Sequence, residues 1–429
     1  AAAREWAARS VFERAAAMER VAAIIEERRD DLARALTLDQ GKPLRTEAFA
    51  EVDELVEYWR MAAGDVRRLE GLMPPSVDAS KRVLAYRVPR GVVGVITPWN
   101  WPYTMAAEVV APALASGNTV VWGPATSTSV CSVKLAQCVV DAELPAGVFN
   151  LVTGPGAVVG DEIAVNAGTH AIGFVGSVAT GYRVAERAAG KALLLEMGGN
   201  GPLVVLDDAD LDAAVEATLA AAFLCAGQSC TAGERFLVHE DVHEEYLDKL
   251  RAAVSRIQLG DPFADETTMG PLNNEDTAAK MDGHVDDAVG RGAVLVAGGA
   301  RSQGFPTDLY YEATVLDRVT DEMEVARDET FGPVVPITTI RSEDKALAII
   351  NSSPYGLLTA VFTRDLRRGL RLAEAARAGW VNINESTNYW ESHLPFGGRA
   401  GTQSGIGRVG GRFSMETFTE LKTVVVNLG

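Results

Sequence analysis

The stretch GVVGVITPWNWPYTMAAEVVAPALASGNTVVW, residues 91–122, decides how the rest of the chain is read. It opens on a β-branched run, Gly91–Thr97, passes through a proline-bounded loop, enters an apolar helical pattern at 103–116 and returns to a second run, Thr119–Trp122. Strand, helix and strand at these lengths make a βαβ unit, which lays its two strands parallel. The pattern continues downstream with a helix at 128–141, a strand Val148–Val152, a helix at 157–166, a strand Ala171–Val175, a helix at 178–189 and a strand Leu193–Glu196. These runs are apolar along most of their length, as strands covered on both faces are. A second series places strands at Pro202–Leu206, Arg235–Val238, Val294–Ala297, Val334–Ile340, Leu357–Phe362 and Trp380–Ile383, with helices at 208–224, 241–256, 343–351 and 365–378. The fold class is α/β with two sheets. Upstream, residues 4–70 predict two or three helices with a turn near Gly41-Lys42-Pro43. Lys81–Val88 and Leu421–Leu428 belong to no βαβ unit and predict either two edge strands or a β-arm that pairs with another subunit.

The 429 residues are 47% hydrophobic, enough for two or three domains. A net charge of −18 disfavours nucleic acid and anionic membrane surfaces, because the field of the molecule repels phosphate. No uncharged apolar run reaches the roughly 18 residues of a membrane span. The opening AAAREWAARS reads as an amphipathic helix rather than a signal peptide. Cys131, Cys138, Cys225 and Cys230 contain no CxxC pair and are too few for a disulfide scaffold, which predicts a reducing, cytoplasmic setting. The five histidines have no ligand spacing, so no metal site is expected.

Several residues carry chemistry. Cys131 and Cys138 share a helix face and, like Cys225, suit a core. Cys230 stands among Gly227, Gln228, Ser229 and Thr231, a small polar setting in which a thiol can be exposed and ionised. Glu196 ends an apolar strand in LLLEMGGN; ligands of open α/β sheets bind at strand carboxyl ends, and partial burial there raises a carboxyl toward a useful general base. Asn100 lies in Thr97-Pro98-Trp99-Asn100-Trp101-Pro102, a loop rigid enough to aim an amide at an oxyanion, or merely a packed turn. Gly154-Pro155-Gly156 with Gly160, and Phe174-Val175-Gly176-Ser177 with Gly181, each follow a strand and open a helix. Both suit phosphate at a helix N-terminus, and both suit ordinary tight turns.

PWNWP, PALASGNTVVW, FVGSVATG, LEMGGN, GQSC, ETFGPV and PFGG together resemble the aldehyde dehydrogenase superfamily over essentially the whole chain. The family's opening strands are missing, so the chain is expected to start late. The resemblance implies a non-acylating, NAD(P)-dependent dehydrogenase. Cys230 would be the nucleophile, attacking as thiolate. Asn100 and the Cys230 backbone N–H would hold the oxyanion, and Glu196 would activate the hydrolytic water. It also implies a dinucleotide site made by Ile96, Thr97, Trp99, Gly156, Gly160, Phe174, Gly176, Ser177, Thr180, Met197 and Gly198, with Glu329 on the nicotinamide ribose and Phe331 beside it. The cofactor is NAD or NADP. Gly123 and Thr126 stand where the family commonly has a lysine and a glutamate at the adenosine ribose, and Val109 where it often has a lysine. Trp101, Met105, Glu108, Ser229, Thr231, Tyr389 and Trp390 would line the aldehyde tunnel, Glu108 there disfavouring an anionic substrate. Residues 399–403 lengthen a loop expected near its mouth.

The same resemblance divides the chain into a Rossmann-like dinucleotide-binding domain (1–76 and 89–198), a catalytic domain (199–412) and oligomerisation segments (77–88 and 413–429), with a homodimer or homotetramer expected. Two other readings are a CoA-acylating relative, which the hydrolytic Glu196 opposes, and a catalytically weak binding protein on the same fold.

Overall fold

The computed structural model describes residues 2–429. The βαβ series from Val92 builds a six-stranded sheet in the order Gly405–Ile406, Ala192–Met197, Ala171–Gly176, Val92–Ile96, Thr119–Gly123, Phe149–Leu151. All neighbours are parallel except Gly405–Ile406, which runs antiparallel to Ala192–Met197. The sheet grows outward in both directions from Val92–Ile96. Its switch point therefore lies between the carboxyl ends of Val92–Ile96 and Ala171–Gly176, where open α/β sheets leave a crevice.

The second series forms a seven-stranded sheet in the order Trp380–Ile383, Leu358–Phe362, Gly201–Val205, Gly233–His239, Val334–Ile340, Thr314–Asp317, Val294–Ala297. Only its last strand is antiparallel. Two elements of this unit escape the sequence pattern. Thr314–Asp317 is four residues long and fully buried, too short to show a period. Glu275–Gly290 is a polar helix with little apolar patterning, although Asn274 caps it by accepting the Thr277 N–H at 3.0 Å.

Helices Val11–Glu27, Arg29–Gln40 and Phe49–Val66 pack with Thr104–Ala115 into one core, in which Met18, Ile25, Leu55, Trp59 and Leu114 are buried. Gly41 (φ 101°) ends the second of these helices in the left-handed region, at the expected turn. Lys81–Pro89 and Thr419–Asn427 pair with each other, antiparallel, from Lys81 opposite Asn427 to Pro89 opposite Thr419. This two-stranded ribbon leaves Leu421 and Val425 more than half exposed.

The structure departs from the expected boundaries at the C-terminal end. Gly405–Ile406, inside the expected 199–412 unit, completes the edge of the first sheet. Helix Gly411–Phe418 buries Met415 and Phe418 in the core shared with Thr104–Ala115, so the ribbon begins at Thr419, not at 413. The extra residues 399–403 form a loop packed against the segment 354–356 and Arg377. The Arg399 and Gln403 amides donate to the Gly356 and Pro354 carbonyls, and Arg377 donates to the Gly401 carbonyl.

Candidate active site

Glu196 is the penultimate residue of Ala192–Met197 and is 3% exposed. The two glycines behind it are steric requirements. A Cβ on Gly198 would stand 2.5 Å from a Glu329 carboxylate oxygen, and one on Gly199 would stand 2.5 Å from the Cys230 carbonyl oxygen. Only bare backbone lets the strand end approach both Glu329 and the loop that carries Cys230.

That loop is held in an unusual conformation. Cys225, Ala226 and Gly227 lie consecutively in the left-handed region (φ 54°, 51° and 73°), which costs a non-glycine residue about 1–3 kcal/mol. Buried groups impose it: the Cys225 N–H donates to Glu47 Oε2 at 3.1 Å, and Gln228 Nε2 donates to the Cys225 carbonyl at 2.8 Å. The PWNWP loop is tied to the same segment, because Asn100 Nδ2 donates to the Gln228 carbonyl at 3.0 Å. The amide thus bonds a distant backbone two residues before Cys230, not its own turn. Its second N–H remains available.

A cavity of about 190 Å³ brings together Asn100, Glu196 and Cys230 with Trp99, Glu329 and Phe331. Gly176, Ser177 and Gly198 line it too. Trp99 and Phe331 meet edge to face at 5.6 Å. Phe331 sits at φ 60°, and one carboxylate fixes it there. Glu234, 2% exposed, accepts the Thr330 and Phe331 N–H groups at 2.7 Å each. Glu329 in turn accepts the Gly199 N–H at 2.9 Å. Glu234 escaped the sequence reading because GERFLVH reads as an ordinary strand. Thr277 and Lys280 of the polar helix also line this cavity and were equally invisible, although the Asn274 cap places both in its first turns.

Electrostatics divides expectation from structure. Burial pushes Glu196 up to about 8, opposed by the nearby Cys230 thiol, and its Oε1 is buried without a hydrogen-bond partner. That suits a base. The expectation of an ionised Cys230 is not met: the residue is only partly exposed, and burial together with Glu196, Glu329 and Glu108 pushes its thiol well above the ordinary range. Burial is the larger cause, and the carboxyls contributed by three distant segments add to it as they ionise.

A second cavity, about 290 Å³, lies between helices Gly156–Val165 and Val178–Arg187 and is lined by Ile96, Gly156, Gly160 and Thr180, with Arg183 and Arg187. Ser177 caps the second helix, accepting the Thr180 N–H at 3.4 Å. The remaining expected cofactor residues lie outside both cavities. Thr97 Oγ1 accepts the Trp122 indole N–H at 2.9 Å. Phe174 and Met197 pack beneath Gly181 in the core. Thr126 is exposed to solvent. At Gly123, a Cβ would meet Ile163 Cδ1 at 2.8 Å and Val159 Cγ1 at 3.2 Å, so apolar side chains crowd the place where a lysine stem would start.

On the other side of Cys230 a narrow cavity of about 20 Å³ is lined by Trp101, Met105, Glu108, Ser229, Thr231, Trp390 and Phe396. Tyr389 is not among them; it is 44% exposed and donates to Glu391. Among the described residues no group of His, Cys, Asp and Glu is arranged to hold a metal ion, and no helix is long and apolar enough to cross a membrane.

The model of the aldehyde dehydrogenase family matches residues 1–424. Betaine aldehyde dehydrogenase of Bacillus subtilis (strain 168) is 38% identical over 429 residues, 99% of this chain and 86% of that protein. The NADP(+) succinate-semialdehyde dehydrogenase GabD of Escherichia coli (strain K12) is 38% identical over 426 residues, 99% of this chain and 87% of that one. The crystal structure of succinate-semialdehyde dehydrogenase from Burkholderia pseudomallei superposes with a TM-score of 0.96 at 38% identity, covering 99% of this chain and 88% of the other. That of Staphylococcus aureus betaine aldehyde dehydrogenase in complex with NAD+ gives 0.96 at 32% identity, covering 99% and 84%. With the family model matched from residue 1 to 424 and relatives 38% identical over nearly the full length, the chain belongs to the aldehyde dehydrogenase family.

Proposed function

We propose that Cys230, Glu196 and Asn100 carry out the family's oxidation of an aldehyde to a carboxylic acid with NAD or NADP. The observation that carries the reading is their convergence on one cavity from positions far apart in the chain.

The dinucleotide site fits its ligand. The cavity between the two helices is open where a Cβ on Gly156 would meet nothing within 4 Å, and Ile96 floors it at Gly160. Ser177 and the helix N-terminus behind it would face the pyrophosphate. Glu329 would hold the nicotinamide ribose, with Phe331 and Trp99 against the ring. The chemistry a bound nicotinamide supplies is acceptance of hydride from the substrate carbon.

The chain's own groups do the rest. The Cys230 thiol is protonated at rest, so its proton passes to Glu196 as sulfur bonds the aldehyde carbon. The oxygen that gains charge is held by the free N–H of Asn100 and the Cys230 backbone N–H. After oxidation the acyl group remains on sulfur as a thioester. Glu196, having released its proton to solvent, takes one from water as water adds to the acyl carbon. The C–S bond breaks, sulfur regains a proton and the acid leaves. Glu196 therefore serves twice.

Replacement tests this. Cys230→Ala abolishes production of reduced dinucleotide while binding of the dinucleotide, followed by its fluorescence, persists. Turnover in the variant would remove the sulfur from its role. We place the dinucleotide-binding unit on the six-stranded sheet with residues 1–76 and 89–198, and the catalytic unit on the seven-stranded sheet. The exposed Leu421 and Val425 of the ribbon support a homodimer or homotetramer joined through it. Four unpaired cysteines support a reducing, cytoplasmic setting.

A further inference from the structure

We infer that the tunnel on the far side of Cys230 selects an aldehyde carrying a positively charged nitrogen on a short aliphatic stem. The inference rests on the reading of Cys230 as nucleophile and names the substrate class for that site.

The lining contains one ionisable side chain besides the nucleophile, and it is an acid. Glu108 projects from helix Thr104–Ala115, is 5% exposed, and accepts only a long 3.5 Å hydrogen bond from the Tyr58 hydroxyl. No Arg, Lys or His shares the lining. The nearby cation is already committed: Lys42 is fully buried, pairs with Glu51 at 2.5 Å and lies 3.1 Å from the centre of the Trp101 ring. A second carboxyl stands behind the wall, since Glu54 accepts the Trp390 indole N–H at 2.9 Å. Trp101 and Trp390 meet edge to face at 86°, and Lys42 already covers one face of Trp101, so Trp390 is the indole left to meet an incoming cation.

A buried carboxyl with no cationic partner is costly unless neutral, and burial with Glu196 and Glu54 holds Glu108 well above the ordinary carboxyl range. An arriving ammonium supplies the missing partner. An arriving carboxylate finds an acid, two indoles and no counter-charge. The enclosed volume of about 20 Å³ is room for about one water, so any stem enters only as the wall yields, and a bulkier quaternary nitrogen requires Trp390 to swing further aside. Trp390 lies on a segment, residues 384–404, without helix or strand, which permits such a shift.

The test compares kcat/KM for propanal, 3-aminopropanal, (trimethylammonio)acetaldehyde and 3-oxopropanoate in the wild-type enzyme and in the near-isosteric Glu108→Gln. The expected result is a preference of about tenfold or more for 3-aminopropanal over propanal, with 3-oxopropanoate poorest. Glu108→Gln should shrink the 3-aminopropanal to propanal ratio about tenfold; a ratio cancels any general effect of the variant on turnover. A faster reaction with the trimethylammonio compound supports the same charge and adds movement of Trp390. Equal or better use of 3-oxopropanoate, or an unchanged ratio in Glu108→Gln, overturns the inference while leaving the oxidation chemistry standing. Oxidation of none of the four overturns the reading of Cys230 itself.

Discussion

If Glu196 is the base for hydrolysis, the rate of acyl-enzyme breakdown is set by how much of it is ionised. Burial without a compensating cation pushes this carboxyl up to about 8. About one-tenth is then ionised at pH 7 and about half at pH 8, so breakdown should rise about tenfold per pH unit below pH 7, about fivefold from pH 7 to 8, and level off above that. Rapid mixing of enzyme, aldehyde and dinucleotide separates the steps: the burst of reduced-nicotinamide absorbance reports acylation, and the slower linear phase reports hydrolysis. The linear phase carries the plateau, and Glu196→Gln should reduce that phase at every pH. The burst should also weaken in the variant, because the protonated Cys230 thiol loses its proton acceptor. Direct attack by hydroxide also accelerates with pH but does not level off. A linear phase flat from about pH 6.5 to pH 9, or a rise that survives in Glu196→Gln, refutes the assignment. Stability offers a readout without catalysis. The folded protein holds this proton more tightly than the unfolded chain, so Glu196 lowers stability as pH climbs from the ordinary carboxyl value toward 8. Glu196→Gln should gain in Tm relative to wild type across that window, and a constant gap would contradict the buried environment.

Other perturbations probe single contacts. Asn100→Ala removes an oxyanion donor and the tie to the Gln228 carbonyl, and should lower kcat about 10²–10³-fold, with dinucleotide affinity by fluorescence titration little changed. Glu234→Gln can accept only one of the two N–H groups it now holds, so one buried donor is orphaned. A loss of about 1–3 kcal/mol in denaturant unfolding and weaker dinucleotide binding through Phe331 and Glu329 are expected. Gly123→Lys should depress Tm and fail to tighten dinucleotide binding, because Ile163 and Val159 crowd the new side chain; a lower Kd at unchanged Tm would show that the crowding relaxes freely.

What the sequence made legible follows from how each feature is encoded. Strands covered on both faces write their burial as unbroken apolar runs, so Val92–Ile96, Ala171–Gly176 and Val334–Ile340 could be read directly. Glu196 and Cys230 could be singled out because their local settings, a strand end and a small polar loop, are themselves informative. The two-residue strand Gly405–Ile406 has no periodicity to read, and the helix bearing Thr277 and Lys280 is polar on most sides. The state of the thiol was illegible for a different reason. It depends on burial first and then on Glu196, Glu329 and Glu108, and both the burial and the proximity exist only after the chain has folded. Glu234 was hidden similarly, since a carboxylate in a strand reads as solvent-facing until its two amide donors are located.

The short pairing of Gly405–Ile406 against Leu195 and Glu196, reinforced by the Ser404 hydroxyl donating to the Gly198 carbonyl at 2.8 Å, has a temporal meaning. During synthesis Glu196 emerges from the ribosome some two hundred residues before the segment that flanks its strand. The nascent polypeptide therefore carries Glu196 and Cys230 beside an unfinished edge until the closing turns are in place.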